Sequence, residues 1–169
     1  TLESNRNKRC FLFQHLRPRD ACGNAHNIGS MGSSDDEIWH YGQSSQAAVF
    51  EELLKHYKNV YYFHGHTHVD LSFQTRDNLA NIDERYGRYS IHIPSAYSPR
   101  KLKDDGSGKE GQDSKSQGYL MDVYKNHIVL RGRDFVDGVF IPVAQYCLDT
   151  TIQTIEAGTF TDSTGTIRT

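Results

Sequence analysis

Residues 61–68 read Tyr61-Tyr62-Phe63-His64-Gly65-His66-Thr67-His68, an aromatic, apolar run that stops in three alternating histidines around one glycine. Such a run reads as a buried strand that leaves a core at its end. On an extended backbone, side chains two apart project to the same side, so the spacing predicts that His66 and His68 present their imidazoles to one point. A histidine pair so placed is a ready metal claw. Gly65 fits this picture, because a glycine at a strand end lets the backbone bend sharply or approach a bound group closely. The competing reading is a wet strand end with chance histidines, and nine histidines in 169 residues keep that reading open.

Outward from this stretch, the chain splits into two characters. On the N-terminal side, Cys10 to Phe13 form a short apolar run that predicts a buried strand delivering His15 to a loop. Pro18 stops regular structure, and residues 21–43 are rich in Gly, Ser, Asn and Asp, as a binding loop or lid would be. Ser44 or Ser45 then caps a helix whose apolar face is Val49, Phe50, Leu53, Leu54 and Tyr57. Strand, helix, strand is the pattern of an α/β layer. His15 and the His66/His68 pair both fall at strand C-terminal ends, where such sheets commonly place ligands.

After Asp70 the chain predicts mostly antiparallel strands without helices. Tyr89, Ile91 and Ile93 alternate with Arg88, Ser90 and His92, as in a half-buried strand. Residues 100–117 have almost no apolar side chain and are expected to form a mobile loop. Residues 119–124 and 127–133 flank Lys125-Asn126 as a hairpin, and a further strand is expected over residues 139–146. The fold class expected is therefore α/β (α+β).

Composition excludes more than it selects. Hydrophobic content is 36%, but ten Tyr and eight Phe can still build a core, since each aromatic ring buries a large area. The formal net charge of −2 offers no field to gather a polyanion, so nucleic acid is not a favoured partner, while a small phosphate ester remains compatible. No apolar stretch is long enough for a membrane span. Cys10, Cys22 and Cys147 are widely spaced and form neither a disulfide framework nor a zinc ribbon, which leaves the compartment open. The chain begins at Thr1, and its numbering is expected to start inside a longer protein.

In sequence order, these segments resemble the calcineurin-like metallophosphoesterases. Phe11-Leu12-Phe13-Gln14-His15-Leu16-Arg17-Pro18 looks like that family's strand ending in a lone ligand histidine. Gly65-His66-Thr67-His68 matches its GHxH motif, and Ile93 to Ala96, Gly118 to Val123 and Ile128 to Phe135 look like the strands that follow it. The family's earlier motifs, DxH, GDxxD and GNH(E/D), are absent from these residues.

The resemblance implies the C-terminal half of a β-sandwich flanked by helices. Residues 1–147 would form that half, and residues 148–169 an edge strand or a Thr-rich linker. It implies hydrolysis of a phosphate mono- or diester at two divalent metal ions (Mn, Fe or Zn), with His15 and His66 on one ion and His68 on the other. His64 is expected to be packed behind the ligands, next to Gly65. Arg17 and His26 are candidates for substrate contact. The remaining ligands and the general acid would come from an N-terminal half of the same protein, and the exposed sheet implies pairing with that half or with a second copy. Two alternatives stay open: a mononuclear zinc hydrolase using the three histidines, and a non-catalytic binding or assembly module.

Overall fold

A computed structural model describes residues 2–15, 45–72, 81–84, 87–102 and 109–150. At its centre is the quoted strand, β2 (Val60–His64), buried along its whole length. It is buried because layers cover both of its faces. Val60 and Tyr62 cluster with Leu54 of helix α1 (Ser45–His56), with Phe50 and Tyr57 packed against them. Tyr61 and Phe63 join a larger cluster with residues of a second sheet.

Around β2 the first sheet has the order β1-β2-β4-β3. β1 (Cys10–Gln14) pairs with it in parallel from Cys10↔Val60 to Gln14↔His64, and β4 (Tyr89–His92) pairs in parallel on the other side. The two-residue β3 (Ile82–Asp83) runs antiparallel to β4. A hairpin, β5 (Arg100–Leu102) and β6 (Lys109–Gly111), leads to the second sheet. That sheet is an antiparallel meander of β7 (Gln117–Val123), β8 (His127–Asp134) and β9 (Val139–Asp149). The chain is thus mixed α/β and mostly strand, and no described helix is long and apolar enough to cross a membrane.

The two sheets meet through Tyr61, Phe63, Leu71, Tyr89 and Ile91 on one side and Ile128, Leu130, Ala144, Tyr146 and Leu148 on the other. Leu71, Ile91, Ile128 and Leu130 are fully buried, and each contributes about 1.5–3 kcal/mol by leaving water.

Several expectations are corrected. β1 is not a buried strand but, among the described residues, an edge: Phe13 is 61% exposed, stacked on Phe63 at 4.7 Å. Only part of the predicted helix face packs, since Val49 and Leu53 remain exposed while Phe50 and Leu54 meet the sheet. β4 is buried on both faces and lies parallel to β2. Its polar alternates are tolerated because they are bonded: Ser90 Oγ lies 3.0 Å from His64 Nε2, and His92 Nε2 donates to the Val69 carbonyl at 2.9 Å. Residues 100–117 contain β5 and β6 despite their polarity, with a Lys101–Glu110 ion pair of 2.8 Å across the ladder; residues 103–108 lie outside the described residues. β9 runs to Asp149, with Leu148 in the core.

Between the pairs Arg131↔Gln145 and Arg133↔Phe140, β8 has one residue, Gly132, and β9 has the residues from Ile141 to Ala144. Pro142 falls inside this bulge, where a missing N–H costs no ladder bond. The Gln145 amide holds the bulge closed by donating to the carbonyls of Gly132 and Ile141 at 3.0 and 2.8 Å. A Cβ on Gly132 would come within 2.5 Å of Ala144 Cβ and 2.8 Å of its carbonyl oxygen. Gly132→Ala is therefore expected to lower stability by about 1–3 kcal/mol, measured as a reduced urea midpoint at unchanged slope.

Burial pushes the phenols of Tyr61 and Tyr89 up to about 12, against the nearby Arg88 charge that pulls them down. The folded state thus favours the neutral phenols. Their contribution is complete below pH 10, the ordinary phenol value, and is lost as pH rises through about 12. The urea midpoint is expected to fall over that window, and Tyr61→Phe to flatten the fall.

Candidate functional site

Strand β2 ends at His64, and the chain then makes a tight loop stapled on both sides. The Gly65 N–H donates to the His15 carbonyl at 3.1 Å, which extends the β1–β2 pairing by one residue. The Ile93 N–H donates to His64 O at 2.6 Å, and the Arg100 N–H to His68 O at 2.6 Å. His15 and His66 are consequently delivered from adjacent parallel strands to one place.

Their geometry is tight. His66 Nδ1 lies 3.0 Å from His15 Nε2, and the rings meet edge to face at 83° with centroids 5.0 Å apart. His68 does not join them in a three-ligand set: among the described residues, no group of three or more His, Cys, Asp or Glu is placed to hold a metal ion. His66 and His68 do not lie on an extended strand; both have left-handed φ values, 76° and 56°. The extended backbone that the i, i+2 spacing assumes is therefore not the one these two residues adopt.

The same observation moves a role from Gly65. An added Cβ there would only touch the Ile93 carbonyl at 3.4 Å, so the sharp bending is done by the two histidines. Left-handed conformation costs a non-glycine residue about 1–2 kcal/mol and persists only where surrounding contacts over-determine it. The staples named above are such contacts. His64 takes the packed position expected of it, fully buried beside Ser90, with its ring 6.2 Å from that of His92. Arg17 and His26 lie outside the described residues.

Two residues hold the loop that sequence reasoning passed over. Asp70, 4% exposed, accepts from Ser72 N and Oγ at 2.7 and 2.6 Å and from the amides of Gln112 and Gln117 at 2.7 and 2.9 Å. Gln117 Oε1 in turn accepts the Leu71 N–H at 2.9 Å. A buried carboxylate is tolerated when donors surround it, and these tie the exit of the histidine loop to β6 and β7. The Asp-x-Ser spacing is a turn signal that could have found the local half of this network. His92 is the other: its bond to the Val69 carbonyl supports the residue after His68, and nothing in the alternating pattern around it signals that contact.

No protein-family model, curated protein or solved structure matches this chain. The site is described by its own geometry.

Asp70→Asn keeps the shape but sets an amide N–H₂ against the Gln112 and Gln117 donors. It is expected to cost about 2–3 kcal/mol, read by urea unfolding, because donors buried against a donor lose their partners.

Proposed function

We propose that this chain supplies one jaw of a two-metal centre that hydrolyses a phosphate mono- or diester, in the manner of the metallophosphoesterases it resembles. The observation that carries this reading is the 3.0 Å separation of His15 Nε2 and His66 Nδ1. Two nitrogens about 2.1 Å from one ion and at right angles around it stand about 3.0 Å apart, so the pair fits as neighbouring ligands of a single metal. His68, which completes no three-ligand group with them among the described residues, is assigned to the second ion. Imidazole ligands suit Mn, Fe and Zn alike.

When bound, the ions would polarise phosphoryl oxygens and lower the pKa of a water between them. The histidines have their own part. With no ion between them, the short contact requires an N–H on one ring and a lone pair on the other. Whichever ring carries that proton, it must move to the other nitrogen of its ring, or leave, before both face one ion. Holding an ion between the two rings is therefore coupled to a change of tautomer in one of them.

Two ions need more ligands than three histidines provide, and the DxH, GDxxD and GNH motifs that would supply them are absent from these residues. We assign them to a complementary N-terminal half. The exposed edge of β1, with Phe13 uncovered, is the place for it, since a parallel strand is ordinarily buried on both faces and paired on both sides. In this reading the helix layer and two sheets are the C-terminal half of a β-sandwich.

Titration of the chain with Mn²⁺ is expected to broaden the His15 and His66 imidazole NMR signals together, and His66→Ala to abolish the effect at His15. Independent behaviour of the two rings would remove the shared-ligand reading. The chain alone is expected to show background hydrolysis of p-nitrophenyl phosphate and its bis ester with Mn²⁺. Robust turnover by pure chain would overturn the half-site.

A further inference from the structure

At the opposite end of the first sheet lies a cavity of about 340 Å³, lined by Asn7, Lys8, Arg9, Lys58, Asn59, Tyr61, Arg88, Lys125 and Thr150. Its position follows from the topology. Arg9, Asn59 and Arg88 are the residues immediately before β1, β2 and β4, which are neighbours in the parallel sheet. Lys125 comes from the β7–β8 turn and Thr150 follows β9, so both sheets contribute to the same end. Five residues of β2 separate this cavity from the histidine loop, roughly 16 Å of extended chain.

Its charge is one-sided. Among the described residues, five Lys and Arg line it, in a chain of net charge −2, and no carboxylate does. Among the described residues, Lys8, Arg9, Lys58 and Lys125 form no ion pair. Arg9 donates to the Tyr124 carbonyl and Lys58 to the Gly87 carbonyl at 3.4 Å, partners that carry no charge. Arg88, 7% exposed, packs over the Tyr89 ring at 5.5 Å, which fixes a guanidinium at the back of the site. Glu84 interacts with Arg88 and Lys58, and Asp149 acts on Tyr61 and Tyr89, but neither carboxylate lines the cavity.

We propose that this cavity is a binding site for a compact diphosphate anion. Cations gathered in one concavity repel one another unless an anion joins them, and a diphosphate presents several oxygens to lysine ammoniums and the planar forks of Arg9 and Arg88 at once. The volume suits a small ligand and excludes a duplex nucleic acid. Asn59 is already committed, its amide donating to the carbonyls of Asn5 and Lys8 at 2.9 and 2.7 Å, so it shapes the rim that carries Lys8 and Arg9. The site is independent of the histidine pair.

The test is calorimetry on the chain in chelator-treated buffer, with inorganic pyrophosphate as probe and orthophosphate as comparator. One-to-one binding is expected, about tenfold tighter for pyrophosphate and weakening as salt is raised. Lys8→Gln combined with Lys125→Gln, both exposed positions, is expected to weaken pyrophosphate about tenfold with an unchanged circular dichroism spectrum and urea midpoint. His66→Ala is expected to change nothing. An ADP titration separates the sources: binding tighter than pyrophosphate assigns the site to a nucleoside diphosphate, equal or weaker binding to the free anion. No binding at millimolar probe, no preference over orthophosphate, an unaffected double variant, or loss in His66→Ala would each overturn the proposal.

Discussion

Everything in this chain hangs on a strand with no wet face. β2 has the helix α1 on one side and the second sheet on the other, so all of its side chains, His64 included, are buried. A strand so enclosed reaches water only at its ends. The end that carries Gly65, His66 and His68 must therefore be shaped by neighbours, and it is: β1 offers the His15 carbonyl, β4 leads into Ile93, and β5 takes hold of the His68 carbonyl through Arg100. The left-handed backbone at both histidines is maintained by those neighbours and not by local preference.

How much of this was legible in the sequence depended on whether a residue's partner was near in the chain. The β7–β8 hairpin was read almost residue for residue, because its turn and its alternation are local. So was β2, whose aromatic run has no other explanation. β4, antiparallel to β3 but parallel to β2, was misread as half-buried because Ser90 and His92 look like solvent-facing residues until His64 and the Val69 carbonyl are placed beside them. The β5–β6 hairpin was hidden by its composition; its place is tied to the histidine loop through the Arg100 N–H on the His68 carbonyl and the Asp70 N–H on the Arg100 carbonyl. For the site, the placement of His15 and of the His66/His68 pair at strand C-terminal ends was legible, while the pairing of His15 with His66 was implied only by the resemblance. The left-handed backbone at His66 and His68 was not legible, since spacing assumes a strand that has in fact already ended.

The two ends of the parallel sheet are chemically unlike. Strand C-termini present imidazoles, groups that hold cations when neutral, and strand N-termini present fixed cations around a cavity. A net charge near zero conceals this separation entirely. It also means that substitutions at one end leave the other electrostatically almost undisturbed, because the distance between them exceeds the screening length of physiological salt.

The sheet edges carry a consequence of symmetry. Among the described residues, parallel order runs from β4 through β2 to an edge at β1, so a strand that continues the pattern must point the same way as β1. Two copies brought together there by a two-fold axis, with helix beside helix and second sheet beside second sheet, place β1 against β1 in opposite directions. A symmetric pair with aligned layers thus reverses the strand polarity at the join, whereas a different segment can preserve it. The direction of the strand next to β1 distinguishes the two kinds of assembly by itself.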